Sequence, residues 1–305
     1  MTGSPTNSFE EALESRAQAV ETALARLLEQ RPLDGEIARP ARLLDAMRHG
    51  VLAGGKRLRP FLVMESAALF DADGEAVLRV AAALECVHCY SLIHDDLPSM
   101  DNDDIRRGKP TVHRAFDEAT AILAGDALLT YAFDILADGA TGLPAATRLD
   151  LVLGLARAAG IGGMVGGQML DLDAVRVRPG EAGIVTLQAM KTGALIRYAC
   201  EAGAVAGRAN AADRERLAEF GSAVGLAFQL ADDLLDVTGD AAQMGKATGK
   251  DHGAGKATLV ALHGQDWARR QLRGLTHQAR TLLEPFGKKA SLLVEAASFI
   301  AERRR

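Results

Sequence analysis

Two runs of carboxylates carry most of the chemistry that this 305-residue sequence could perform. The first is Asp95-Asp96-Leu97-Pro98-Ser99-Met100-Asp101, continued by Asn102, Asp103 and Asp104; the second is Asp232-Asp233-Leu234-Leu235-Asp236. On a helix turning about 100° per residue, Asp232 and Asp236 lie about 40° apart in projection, one turn from each other, with Gln229 on the same side. Two carboxylates on one face repel, and more strongly on burial, unless a cation sits between them. In the first run Pro98 disfavours helical geometry at Leu97, so a helix is expected to end or bulge there and let Asp101 swing back. Few ligands, all oxygen and about a turn apart, suit Mg2+, which keeps several waters and is commonly shared between carboxylates and phosphate oxygens. Neither run has the spacing of a calcium loop.

Basic residues stand between the acidic runs. Gly54-Gly55-Lys56-Arg57-Leu58-Arg59-Pro60 puts three cations within four residues, Arg106-Arg107 follows the first acidic run, and Lys191-Thr192-Gly193 and Lys246 to Lys256 supply more. Arg forks and Lys point charges are what phosphate recognition uses. Nucleotide-loop readings fail: Lys256 is followed by Ala257 where a P-loop needs Ser or Thr, and Val165 falls where a dinucleotide fingerprint needs its last glycine. Acid and base around an apolar interior poor in aromatics point instead to metal-bound diphosphate at a rim with hydrocarbon inside.

Long helices must position these groups. Apolar residues recur at helical spacing over Glu10 to Glu29, Glu75 to His94, Thr120 to Leu136, Thr147 to Gly160 and Asp213 to Val237, separated by Gly, Pro or Asp-rich breaks. Val175 to Gly183 and Gly239 to Gly255 read as loops. With no linker and no repeat, one all-α domain over residues 1–305 is expected, its first nine residues flexible. The composition gives 35 basic against 40 acidic residues, a net charge of −5, which disfavours a bulk nucleic-acid binder. The longest charge-free run, Ala158 to Leu170, is shorter than a membrane span, so no such span is expected. The first ten residues do not resemble a secretory or organellar signal, and the reading is cytoplasmic. Cys86, Cys89 and Cys200 are too few for a disulfide framework and are expected to be reduced, buried thiols.

The strings Gly-Gly-Lys56-Arg57-Leu-Arg59-Pro, Asp95-Asp96-Leu-Pro-Ser-Met-Asp101, Arg106-Arg107-Gly-Lys-Pro-Thr, Gly-Gly-Gln168-Met-Leu-Asp171, Lys191-Thr192-Gly, Phe228-Gln229 and Asp232-Asp233-Leu-Leu-Asp236 occur in that order. From about Arg48 to His263 the chain resembles the trans-isoprenyl diphosphate synthases, nearest to the bacterial farnesyl type. Leu259-Val260 departs from the Tyr-Pro of many members. The resemblance implies an all-helical isoprenoid-synthase bundle around a deep central cavity, usually a homodimer, condensing isopentenyl diphosphate with an allylic diphosphate. It implies that Asp95, Asp101 and Asp232 bind Mg2+ with Asp96 and Asp236 supporting, and that Arg106, Lys191 and Lys246 grip the allylic diphosphate. Lys56, Arg59, His88 and Arg107 would bind isopentenyl diphosphate, Thr192 and Gln229 would line the allylic site, and Lys256 would belong to the substrate-binding set.

Tyr90, with Ser91 beside it, would set chain length. In the resemblance an aromatic here, together with Pro98 and Ser99 inside the first Asp motif, goes with farnesyl rather than longer products; geranylgeranyl diphosphate is the alternative product. By projection, Ser91 lies about 40° and Tyr90 about 140° from Asp95, and His88 about 20°. A class I terpene cyclase, an HD-type phosphohydrolase suggested by His94-Asp95, and a non-catalytic regulatory subunit fit the two Asp motifs and the separate basic strings less well. The terminal Arg303 to Arg305 could cap the isopentenyl site or remain a solvated tail.

Overall fold

Helices form where the sequence repeats apolar residues at three- and four-residue spacing, and several of them end beside Gly or Asp. The computed structural model describes residues 5–238 and 258–302. The helices are α1 (Pro5–Leu27), α2 (Ala41–Val51), α3 (Leu58–Ala68), α4 (Glu75–Asp95), α5 (Val112–Ala115), α6 (Glu118–Ala137), α7 (Ala145–Ala159), α8 (Met164–Val177), α9 (Glu181–Gln188), α10 (Ala194–Ala206), α11 (Ala211–Thr238), α12 (Leu259–His263), α13 (Gln265–Leu283) and α14 (Ser291–Ala301). The one strand pair among the described residues is β1 (Ile105–Arg106) with β2 (Lys109–Pro110), antiparallel, Arg106 opposite Lys109. The all-α expectation holds.

Contacts divide the chain into two compact units, residues 1–64 with 73–152 and residues 65–72 with 153–305. In the first, α4 packs on α6 and α1, and α2 packs on α6. Val80, Leu84 and Val87 of α4 are fully buried, each contributing about 1.5–3 kcal/mol of transfer free energy as an upper estimate. In the second, α10 and α13 pack on α11, with Phe220 fully enclosed.

Several sequence expectations are corrected. Residues 5–9, read as flexible, belong to α1: Pro suits a first helical turn, and Phe9 is buried edge-on against Phe61 at 5.5 Å between ring centres. The loop expected over Val175 to Gly183 shrinks to Arg178–Gly180, because α8 runs to Val177 and α9 starts at Glu181. By length and composition alone, three helical stretches, Glu75–Asp95, Glu118–Ala137 and Ala145–Ala174, are apolar enough to cross a membrane. Counting charge-free runs overlooked them, since a window of this kind tolerates one or two charges. In α4, 67% of that window is buried within the protein itself. The three cysteines are free and buried, as expected. The Leu259-Val260 departure falls at a sound helix start, where the Thr258 hydroxyl accepts from Ala261 N at 3.1 Å. Residues 239–257, with Lys246, Lys250 and Lys256, and Arg303 to Arg305 lie outside the described residues.

Candidate active site

In the first unit, α4 ends where Pro98 requires. Asp95 is its last residue, and the chain then doubles back so that Asp101 N donates to Asp95 O at 2.8 Å and Asn102 N to Leu97 O at 3.1 Å. Asp95 is half-buried and Asp101 exposed, so the two carboxylates leave one tight turn together. Asp96 points the other way: it is 2% exposed, and Arg106 from β1 closes on it. Arg107 (φ 52°) and Gly108 (φ 76°) form the turn between β1 and β2, both left-handed as a tight two-residue hairpin demands. This hairpin was not foreseen, because four paired residues give no periodicity to read.

In the same unit, Gly54 to Arg57 of the basic string form a loop before α3, and Leu58, Arg59 and Pro60 open that helix. Gly54, Gly55 and Arg57 all have positive φ, at 81°, 123° and 48°. A Cβ on Gly55 would meet the Arg107 guanidinium at 2.6 Å, so glycine lets that side chain lie across the loop, where it donates to Gly54 O. Lys56 and Arg107 are exposed and Arg59 is half-buried. The Arg59 guanidinium Nη1 lies 3.3 Å from His88 Nε2. Burial, then the surrounding Arg59, Arg107, Arg106 and Arg57, hold the His88 pKa well below its ordinary value, so the imidazole is neutral and accepts from Arg59. Arg59 thus meets His88, and Arg107 lies across the loop that carries Lys56. Arg57, given no role by its sequence, instead turns inward onto Glu85 and Glu21. A lone Glu85 inside the apolar run of α4 was the available signal, since a buried charge requires a partner.

Tyr90 is buried at 5% exposure, its ring edge-on to His94 at 5.8 Å and its hydroxyl without a hydrogen-bond partner. Burial, then Asp95, push its pKa up to about 12. Ser91 is half-buried and donates to His88 O at 2.8 Å.

In the second unit, Asp232 and Asp236 lie on α11 with Gln229, Asp232 exposed and Asp236 half-buried. Asp233 is buried and accepts from Gln229 Nε2 at 2.9 Å and from Gln188 Nε2 at 2.8 Å. Thr192 Oγ1 donates to Gln229 Oε1 at 3.0 Å. Residues Ala189–Gly193, joining α9 to α10, form a π turn, a feature common at functional sites. Lys191 lies on that turn and pairs with Asp171 Oδ2 of α8 at 2.5 Å. Gly167 permits this approach: a Cβ there would meet Lys191 N at 2.2 Å. Gln168 beside it is half-buried, with both amide atoms enclosed and unpartnered. Gln188 was missed from the sequence because the π turn shifts the helical phase by which its face would be read.

Among the described residues no group of three or more His, Cys, Asp or Glu side chains gathers closely enough to hold a metal alone. Each Asp motif presents carboxylates only, without nitrogen or sulfur, a donor set that fits Mg2+ completed by phosphate oxygens and water. A cavity of about 530 Å3 in the first unit, lined by Leu44, Met47, Leu123 and Tyr131 among others, contains none of these residues.

Comparison with known proteins identifies the class. Residues 40–290 match the model of the polyprenyl synthetase family, and the chain belongs to that family. It is similar to a farnesyl diphosphate synthase of Geobacillus stearothermophilus, 47% identical over 84% of each chain. It is also similar to the farnesyl diphosphate synthase of Escherichia coli, 42% identical over 97% of this chain and 99% of that one. Among solved structures it resembles an apo FPP/GFPP synthase from Zymomonas mobilis, with a TM-score of 0.85 and 44% identity over 98% of this chain and all of that one. These similarities bear out both the resemblance read from the motifs and the isoprenoid-synthase fold.

Proposed function

We propose that this protein is a trans-prenyltransferase that condenses isopentenyl diphosphate with dimethylallyl and geranyl diphosphates, its main product being (2E,6E)-farnesyl diphosphate. The observation that carries this reading is the pair of Asp motifs, each near the C-terminal end of a long helix and each leaving two carboxylates exposed or half-buried, in a chain that also holds a separate basic string. One domain over residues 1–305 performs the reaction. Asp95, Asp101 and Asp232 would hold Mg2+, with Asp236 supporting, and the metal would supply positive charge to a departing diphosphate. Asp96 acts from behind by fixing Arg106.

The residues of this chain then divide the work. Arg106, Lys191 and Lys246 bind the allylic diphosphate and stabilise the negative charge it gains as the C–O bond breaks and the electron pair leaves with it. Lys56, Arg59, His88 and Arg107, with Lys256, bind isopentenyl diphosphate, whose double bond attacks the allylic carbon. A proton then leaves to restore a double bond. Thr192 and Gln229 flank the allylic group, and the apolar helix walls keep water from quenching the cation to an alcohol. Tyr90 and Ser91 limit chain growth.

Exposed apolar side chains on α6 and α7 of the first unit, Ile122, Leu123 and Leu149, support a homodimer. Three free, buried cysteines support a reducing, cytoplasmic setting.

The test incubates purified protein with Mg2+, labelled isopentenyl diphosphate and dimethylallyl diphosphate, and resolves products by chain length. A fifteen-carbon product is expected. A twenty-carbon product would reassign the chain length, and label left unextended with every allylic primer would overturn the synthase reading.

A further inference from the structure

We propose that Arg57 is a positioning residue for isopentenyl diphosphate recognition: it clamps the Gly54 to Arg57 loop, which leads straight into α3, against α4, α2 and α1, and so sets where Lys56 and Arg59 present their charges. The inference rests on the reading of that loop as part of the isopentenyl site. The Arg57 side chain has no solvent exposure. Its Nη1 lies 2.6 Å from Glu85 Oε1 on α4, and its Nη2 lies 2.6 Å from Val51 O at the end of α2 and 3.1 Å from Glu21 Oε1 on α1. One fork of nitrogens thus reaches three separate helices. A planar guanidinium can serve three acceptors spread in this way, whereas an ammonium on a flexible stem cannot hold the same fan.

The backbone explains why such a clamp is required. Three of the four residues Gly54 to Arg57 have left-handed φ values, and Arg57, at 48°, is not a glycine. A loop so far from ordinary strand or helix geometry persists only where its surroundings over-determine it. Arg107 bears on it at Gly54 and Gly55, and Arg57 holds the other side. On α4, Glu85 and His88 are three residues apart and share a face. Arg57, at the end of the loop, engages the first and Arg59, in the first turn of α3, engages the second, a two-point register of this corner on α4. Lys56, exposed between Gly55 and Arg57, inherits its placing from that register.

The experiment uses the full chain and two variants. Arg57→Lys keeps the charge but loses the fork; Arg57→Met with Glu85→Gln removes both fully buried charges, so the only carboxylate deprived of Arg57 is that of Glu21, whose side chain is 33% exposed and can be solvated. In each, the KM for isopentenyl diphosphate should rise about tenfold or more, while the KM for the allylic primer and kcat stay within about twofold. Calorimetric binding of isopentenyl diphosphate should weaken in parallel. A purely structural role would lower the thermal midpoint and kcat without separating the two KM values. Folded variants with an unchanged isopentenyl KM would overturn the inference, and so would loss of fold in both. If the wild-type protein extended no primer, the failure would belong to the proposed function, visible before any variant is compared.

Discussion

The Arg106 guanidinium closes edge-on over the Asp96 carboxylate, with Nε 2.9 and 2.8 Å from its two oxygens and Nη2 2.5 Å from Oδ1. Buried at 2% exposure, Asp96 is thereby engaged with its own chain, while its neighbour Asp95 stays half-open. Adjacent aspartates therefore have different work. Asp95→Asn should raise the Mg2+ concentration for half-maximal turnover and cut kcat by about 10²-fold or more, whereas Asp96→Asn should cost about tenfold in kcat with that midpoint unmoved. Turnover measured across a Mg2+ series decides, and equal midpoint shifts in the two variants would put Asp96 on the metal.

Gly167 touches the backbone of Lys191, which cannot step aside as a flexible side chain would. Gly167→Ala should cost about 1–3 kcal/mol by overpacking and lower kcat by displacing the lysine. Gly162→Ala, where a Cβ meets nothing within 4 Å, is the control. Thermal unfolding and kcat of the pair give the answer; matching values for both would show that the contact yields without consequence.

Tyr90 offers two separable variants. Tyr90→Ala removes a buried aromatic, at about 3–5 kcal/mol of stability, and should shift products from fifteen towards twenty carbons. Tyr90→Phe deletes only an unpartnered hydroxyl, so product length should stay as in the wild type and stability should not fall. An active Tyr90→Ala enzyme with an unchanged product profile would remove Tyr90 from the chain-length role.

Asp117 caps α6, accepting from Thr120 N at 2.7 Å, and also pairs with Arg42. The Arg42 hydrogen bond, then those from Thr120, lower its pKa from 3.8 to about 2. Because the folded value is the lower one, this contribution is present above the unfolded value of 3.8 and is lost as pH falls through about 2. Asp117→Asn should therefore lower the thermal midpoint at neutral pH, and the gap to the wild type should close on acidification across that window. A gap that stays constant with pH would mean that the charge contributes nothing.

Much of the architecture was open to reading in the residue order. The spacing of Val80, Leu84 and Val87 marks α4, Pro98 marks its end and the return of Asp101, and the shared face of Asp232 and Asp236 follows from one helix phase. What escaped depends on contacts far along the chain. Arg57 looks like its neighbours Lys56 and Arg59 until Glu21 and Glu85 are seen to enclose it. Lys191 looks like a free phosphate ligand until Asp171 arrives beside it. The β1–β2 hairpin is too short to carry a period, and the early start of α1 depends on Phe9 finding Phe61.

The π turn at Ala189–Gly193 has a bearing on how this chain tolerates editing. Its wider winding amounts to a one-residue insertion in a helix, so α9 and α10 are set in different reading frames of the same spiral. Deleting any one residue of the turn would yield a longer and more regular helix, yet would rotate one flank by about 100° against the other. Gln188 could then no longer meet Asp233 while Thr192 met Gln229. For a protein engineer, the least regular turn of this segment is the one that cannot be trimmed.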